Sequence, residues 1–373
     1  MFQNKLKVAV IGAKGFPARG GAARSNEETY RRLTDKCDVT IYAMSTHAKD
    51  TAYHGLKQVI IWVPKHHWIF VLWYLFASAT HAILFGKYDV IHLNHLSSGF
   101  IVPLLRIKYK VLLSVHGMGY DLDDKWSFFQ RKLILSYKQI GLISSNVVTT
   151  VEKSSVQVLQ NCTQRPVAYI PNGVTVNSLD IVNQESESID TRGAIVFAAA
   201  RIIRLKGLHD LLAALRRIEY DGKIIIIGDL DQVDDYKSEI IRLSKGLNCE
   251  FTGLISDKDE LFETIGNAQL FVFPSYTEGM SNMLLEVSSL RVPIIASDII
   301  QNRDVFSDNE VLFFKCGIVS DLSSKIKWAL VNSDAMRGRA DLALQRVLTD
   351  YNWDNIAKEY YRELVKLQSS DNQ

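Results

Sequence analysis

The sequence predicts an α/β protein built from two doubly wound domains in tandem. Three observations lead there. Short apolar runs alternate with helical periods along most of the chain, which is the rhythm of parallel sheets covered by helices on both faces. That rhythm occurs twice, and the two runs are separated by the turn Pro171-Asn172-Gly173-Val174 and a polar, acidic segment, Asn183 to Arg192, too poor in apolar surface to fold. The stretch 270–298 reads as a complete strand, loop, helix and strand, the crossover that joins parallel neighbours. The expected domains are 1–182 and 193–350, followed by a terminal helix within 351–373.

In the first domain, strands are expected at Leu6–Ile11, Val39–Met44, Val59–Pro64, Asp89–Asn94, Lys110–His116, Asn146–Val151 and Val167–Pro171. Helices are expected at about 22–33, 68–85, 97–106, 126–143 and 153–161. In the second, apolar runs at Ala194–Ala200, Lys223–Gly228, Glu250–Gly253, Leu270–Phe273, Val292–Ala296 and Val311–Phe314 read as strands. Met283–Leu290, Asp321–Val331 and Asp354–Leu367 read as helices.

The 373 residues are 47% hydrophobic and 23% charged, a globular composition with room for two cores. A formal net charge of +2 implies no nucleic acid or other polyelectrolyte partner. Cys37, Cys162, Cys249 and Cys316 lie far apart and fit a reducing, cytoplasmic setting. Met1 to Lys7 is polar and leads into a short strand, so no signal peptide is expected. His67 to Phe85 has 19 residues without Asp, Glu, Lys or Arg. It contains His67, Ser78, Thr80 and His81 and runs directly into a strand, which favours a helix of the domain over a membrane span. Lys65, His66, Trp62, Trp68 and Trp73 would let one face rest on a membrane, and Arg106, Lys108 and Lys110 would attract anionic lipid at its inner face.

Candidate site residues cluster at strand ends. Glu278 lies on the loop after a strand, where open parallel sheets bind ligands. Gly279, Met280, Ser281 and Asn282 lead into a helix whose first amides lack intrahelical partners and suit a phosphate. Glu286, one and a half turns on, is placed for hydroxyls. With 41 acidic residues in 373, roughly four acid pairs at this spacing arise by chance, so context carries the weight. Arg201 ends a strand and Lys206 precedes a helix, with Arg204 between them; cations so placed neutralise a diphosphate leaving group. After the first strand, Gly12 and Gly15 do not complete a dinucleotide fingerprint, whereas Gly20-Gly21 before a helix reads either as a backbone anion cradle or as a surface turn. His116, His92 and His95 sit at strand ends, where a histidine serves a polar ligand better than inside a core; His92 and His95 are read as acceptor-site residues.

PSYTEGMSNMLLE resembles the Glu-x7-Glu signature of glycosyltransferase family 4, retaining enzymes of the GT-B fold. ARIIRLKG is similar to the family's Gly-Arg-x4-Lys-Gly pattern, with Ala200 in place of the glycine. VHGMGYDLDDKW resembles a subgroup that assembles bacterial surface polysaccharides, in which a histidine at the position of His116 approaches the donor sugar. The resemblance implies two Rossmann-like domains facing a cleft, with a nucleotide-diphosphate sugar held mainly by the second. It implies a glycan or polyprenyl-linked glycan acceptor against the first. It implies Arg201 and Lys206 on the diphosphate, Glu278 on the sugar, Glu286 on the ribose, and a Gly-Gly loop facing the donor phosphates. No cofactor or metal is expected, and no Asp-x-Asp string is expected. The terminal helix would return to the first domain, with Trp353, Tyr360 and Tyr361 as packing anchors. A sugar-nucleotide epimerase shares this architecture and remains an alternative; a nicotinamide-dependent dehydrogenase is argued against by the missing fingerprint.

Overall fold

The computed structural model describes residues 5–18, 20–64, 69–117, 128–175 and 192–370. The chain divides into two compact units, Met1–Asn172 with Trp353–Gln373, and Gly173–Asn352. The boundary falls inside the Pro-Asn-Gly-Val turn and not at 182, because Val174 already belongs to the second unit: its N–H donates to the Tyr351 carbonyl at 2.7 Å. The expected linker at 183–191 lies outside the described residues, and Arg192 pairs with Ala268 in an antiparallel bridge.

The first unit holds an eight-stranded sheet: β1 (Leu6–Ile11), β2 (Cys37–Met44), β3 (Ala52–Tyr53), β4 (Leu56–Ile61), β5 (Val90–Asn94), β6 (Lys110–Val115), β7 (Val147–Thr150) and β8 (Val167–Tyr169). Their order is β3-β4-β2-β1-β5-β6-β7-β8, parallel except for the β3–β4 hairpin. The hairpin was not expected; His54 and Gly55 turn it with φ of 45° and 80°, the two positive values a tight two-residue turn needs. Alternate residues serve opposite faces. Ala9, Ile11, Ile91, Leu93, Val111 and Leu113 enter one core. Val8, Val10, Val90 and Leu112 enter the other, which is closed by Ala357, Leu364 and Leu367 of the last helix, Trp353–Ser369. The segment expected as one helix at 97–106 is a 3₁₀ turn, Leu96–Ile101, then a short helix, Val102–Leu105. Its Gly99 packs on Gly141, where a Cβ would sit 2.6 Å from the Gly141 Cα.

The second unit holds β9 (Ile195–Arg201), β10 (Ile224–Asp229), β11 (Cys249–Gly253), β12 (Leu270–Phe273), β13 (Ile294–Ser297) and β14 (Leu312–Phe314), all parallel in the order β11-β10-β9-β12-β13-β14. Runs such as IIII in β10 and LFVF in β12 are apolar without alternation, as strands covered on both faces require. In each sheet the strand order reverses once, between β1 and β5 and between β9 and β12. Ligands bind outside the carboxyl ends of strands at such reversals.

The three cations at 106–110 line one open surface pocket and are held by backbone carbonyls. Arg106 donates to the Ser144 carbonyl, Lys108 to those of Ile83 and Gly86, and Lys110 to those of Leu367 and Gln368. Each therefore caps the C-terminal end of a different helix, Phe128–Ser144, Ile69–Phe85 and Trp353–Ser369, where carbonyls lack partners and the dipole favours a cation. Among the described residues no helix is long and apolar enough to cross a membrane. Helix Ile69–Phe85 nevertheless exposes Trp73, Phe76, Leu84 and Phe85. Lys65, His66, His67 and Trp68 lie outside the described residues.

Candidate active site

In the second unit, the loop after β9 and the loop after β12 are stitched together at the sheet reversal. Gly207 adopts φ 71° after the 3₁₀ turn Arg204–Lys206, and a Cβ there would lie 2.0 Å from the Pro274 carbonyl oxygen, so only glycine permits the approach. The Tyr276 N–H donates to the Leu205 carbonyl at 2.9 Å. The Tyr276 hydroxyl donates to Asp210 Oδ2 at 2.6 Å, and its ring stacks on His209 with centroids 5.8 Å apart and planes within 7°. Between these ties, Lys206 Nζ lies 2.5 Å from Glu278 Oε1, and both side chains are largely buried. The two residues that sequence places 72 positions apart thus share one ion pair.

Arg201 ends β9, is exposed, and has no ion pair among the described residues. Arg204 is committed elsewhere, paired with Glu239 and lying over the Tyr236 ring at 5.2 Å. Ser281 is the N-cap of helix Asn282–Ser289, its hydroxyl accepting from the Leu284 N–H, and Met280 is buried beneath the turn. Glu286 is only 9% exposed. Its Oε1 pairs with Lys258 Nζ at 2.8 Å.

Contrary to the expectation that the chain has none, Asp-x-Asp strings are present at 121–123, 229–231 and 257–259. Asp229 accepts from the Asp231 N–H and the Gln232 side chain, and Asp231 pairs with Lys237. Asp257 caps helix Lys258–Gly266 by accepting from the N–H groups of Asp259 and Glu260. Asp121 and Asp123 lie outside the described residues. Among the described residues no group of three or more His, Cys, Asp or Glu is placed to hold a metal ion.

In the first unit, strained backbone gathers at the carboxyl ends of β1, β5 and β6. Positive φ occurs at Gly12 (97°), Lys14 (67°), Gly15 (120°), His95 (89°) and Gly117 (141°). For a non-glycine residue such a conformation costs on the order of 1–3 kcal/mol, and such strain concentrates at functional sites. It brings the His95 and His116 rings to 5.8 Å between centroids. Both ring nitrogens of His116 are buried without a hydrogen-bond partner, an uncommon state for a buried polar group and one that a ligand resolves. The residues after Gly117 that extend the His116 motif lie outside the described residues. Gly20 caps helix Gly21–Arg31 in an extended conformation with no side-chain cap, and a Cβ at Gly20 would meet nothing within 4 Å.

His92 is not an acceptor-site residue. It shares strand parity with Val90 and so faces the core under the terminal helix. There it is 1% exposed and lies beside Tyr360 at 5.5 Å between ring centroids. Its Nδ1 bonds the Tyr30 hydroxyl and its Nε2 the Ser114 hydroxyl, both at 2.6 Å. Burial lowers the pKa of His92 to about 3 and, with the charge of Lys14, that of His95 to about 4. Burial, then His95 and His92, hold His116 well below its ordinary value. Below pH ~6.5 the unfolded chain takes up protons that these folded imidazoles refuse, so stability is full above that pH and falls as the pH drops towards 4. Each such group contributes a slope of about 1.4 kcal/mol per pH unit. Replacing His92 by Asn should flatten the pH dependence of the first unit's urea unfolding free energy between pH 6 and pH 4 by about that slope. An unchanged slope would mean that His92 titrates normally in the fold.

Sequence reasoning missed Tyr276, Asp210, His209 and Lys258. Tyr276 stands two residues before Glu278, and Asp210 lies in the first turn after Lys206-Gly207, so proximity to the motifs was the available signal. Nothing in the sequence joins Lys258 to Glu286.

The family model for glycosyltransferase family 4 matches residues 19–178, and that for glycosyl transferases group 1 matches residues 181–342. Among curated relatives, the capsular polysaccharide biosynthesis glycosyltransferase CapM of Staphylococcus aureus is 25% identical over 44% of this chain and 45% of its own length. This match thus spans less than half of that relative. An uncharacterized glycosyltransferase of Methanocaldococcus jannaschii is 22% identical over 79% of this chain and 81% of its own. The putative teichuronic acid biosynthesis glycosyltransferase TuaC of Bacillus subtilis is 23% identical over 55% and 51%. Among solved structures, sucrose-phosphate synthase from Thermosynechococcus elongatus superposes with a TM-score of 0.79 at 19% identity, covering 97% of this chain and all of that one. Anabaena HepE in complex with UDP and glucose gives 0.75 at 14%, with the same coverage. With one family model on each half of the chain and this fold in its solved neighbours, the chain belongs to glycosyltransferase family 4 and has the two Rossmann-like units of the GT-B fold.

Proposed function

We propose that the chain is a retaining, metal-independent glycosyltransferase of hexosyltransferase type that moves a sugar from a nucleotide-diphosphate sugar to a hydroxyl of a glycan or polyprenyl-linked glycan during surface polysaccharide synthesis. The carrying observation is the Lys206–Glu278 pair at the β9–β12 reversal, with Arg201 unpaired at the end of β9. Lys206 and Arg201 neutralise the diphosphate, the N-terminal amides of helix Asn282–Ser289 complete its cradle, Glu278 positions the sugar and Glu286 the ribose. In the transfer step the anomeric carbon–oxygen bond to the diphosphate breaks. The acceptor oxygen bonds to that carbon on the same face, and the acceptor proton passes to the departing phosphate oxygen. His116 and His95 are neutral at pH 7 and serve as hydrogen-bonding groups towards sugar hydroxyls; Gly20 and Gly21, at the start of helix Gly21–Arg31, face the donor phosphates. The names of CapM and TuaC support a polysaccharide acceptor, and HepE with UDP and the Escherichia coli trehalose-6-phosphate protein with UDP-2-fluoroglucose support a nucleotide-sugar donor. A lipid-linked acceptor would bring the exposed Trp73, Phe76, Leu84 and Phe85 to the inner face of the plasma membrane.

The test incubates the purified chain with a panel of nucleotide sugars, with and without polyprenyl-linked acceptor, EDTA and anionic liposomes. Transfer that requires acceptor and survives EDTA is expected, with the chain sedimenting with liposomes. An isomerised sugar from donor alone would make it an epimerase. Activity lost in EDTA and restored by magnesium or manganese would overturn metal independence, and failure to sediment at low salt would remove the membrane contact.

A further inference from the structure

Lys258 opens helix Lys258–Gly266, a position at which the helix dipole disfavours a cation. Its ammonium lies 2.8 Å from Glu286 Oε1 and 4.7 Å from the centroid of the Phe262 ring, one turn further on. Lys258 is 29% exposed at the side chain and Glu286 11%, so the pair is shielded from bulk water on both sides. A carboxylate so enclosed needs a donor or a counter-charge, and Lys258 is the cation that the fold supplies. One carboxylate offers two oxygens and about four acceptor directions. Oε1 is held by Lys258, whose ammonium lies over the ring of Phe262, and Oε2 remains for hydroxyls.

We propose that Lys258 is a positioning residue for donor binding: it acts through Glu286, holding that carboxylate in the orientation that accepts the two ribose hydroxyls of the nucleotide. This rests on the donor-site reading above. It predicts that Lys258 matters only while Glu286 is a carboxylate, which separates it from a lysine that touches the nucleotide itself or one that merely packs.

Isothermal titration with UDP, GDP, ADP and dTDP identifies which diphosphate the wild type binds, and that nucleotide is then titrated into Lys258→Met, Lys258→Arg, Glu286→Gln and Glu286→Gln/Lys258→Met. Loss of a hydrogen bond to a charged group weakens binding about tenfold or more, so Lys258→Met is expected to raise Kd about tenfold, with a matching rise in donor KM and little change in kcat. Lys258→Arg should restore most of the affinity. In the Glu286→Gln background the lysine substitution should change Kd less than about twofold, since a pair acting as one unit is not additive. Equal losses in both backgrounds would overturn the proposal in favour of direct nucleotide contact or packing, and an unchanged Kd in Lys258→Met would overturn it outright. If no diphosphate binds the wild type, or Glu286→Gln binds normally, the donor-site reading itself falls, a result distinguishable from failure of Lys258 alone.

Discussion

Lys206→Ala is expected to lower kcat by roughly a hundred- to a thousandfold, the range seen when one preorganised group facing a developing charge is removed. The ammonium is held for that task before substrate arrives. The 3₁₀ turn Arg204–Lys206, the glycine contact at Pro274 and the hydrogen bond from Tyr276 to Leu205 fix where its backbone lies. Charge on the diphosphate grows as the glycosidic bond breaks, so the lysine stabilises the transition state more than the bound donor, and the loss falls on kcat before KM. Lys206→Arg keeps the charge but replaces a compact ammonium with a planar fork, and partial recovery is expected. Steady-state kinetics for the donor, with circular dichroism to confirm folding, decide the matter: a kcat within threefold of wild type in Lys206→Ala would remove the lysine from the reacting centre.

The fold was legible because strands buried on both faces have no polar alternation to confuse. IIII in β10 and LFVF in β12 declare themselves, and strand ends were read to within a few residues. What could not be read was pairing at long range. His92 occupies a strand end by position, yet its parity with Val90 turns it towards a helix some 260 residues later in the sequence, Trp353–Ser369, and no local pattern reveals which face that helix covers. That Arg106, Lys108 and Lys110 each bond the carbonyl end of a different helix could not be read from their closeness in sequence. The candidate residues Lys206, Glu278 and Glu286 were singled out because loops after parallel strands are where ligands bind. The partner of each acid, and the Tyr276–Asp210 tie that fixes the loops, emerges only when the sheet order brings β9 beside β12.

Glu278→Gln and Glu286→Gln should fail in opposite ways, because the proposed donor site assigns the two acids to different parts of the donor. In the free protein Glu278 already occupies Lys206 at 2.5 Å. An incoming diphosphate must compete with that carboxylate for the ammonium and meets its negative charge as well. Replacing it with neutral glutamine removes both obstacles, so the nucleoside diphosphate is expected to bind several-fold more tightly to Glu278→Gln than to wild type. Turnover moves the other way: without the carboxylate beside the anomeric carbon, where positive charge develops, kcat should fall about a hundredfold, comparable to the loss of one preorganised electrostatic group. In the proposed donor site Glu286 faces the ribose, which changes little during transfer, so its loss is expected to weaken ground state and transition state alike. A hydrogen bond to a charged group is worth about 1.5–3 kcal/mol, so Kd and donor KM should rise roughly ten- to a hundredfold in Glu286→Gln with kcat within about threefold. Calorimetry on the nucleoside diphosphate and separate kcat and KM for the donor, on variants shown to be folded, give the comparison. Weaker nucleotide binding in Glu278→Gln would mean that the Lys206–Glu278 pair is not the diphosphate's competitor, and equal losses of kcat in both variants would end the division between sugar and ribose.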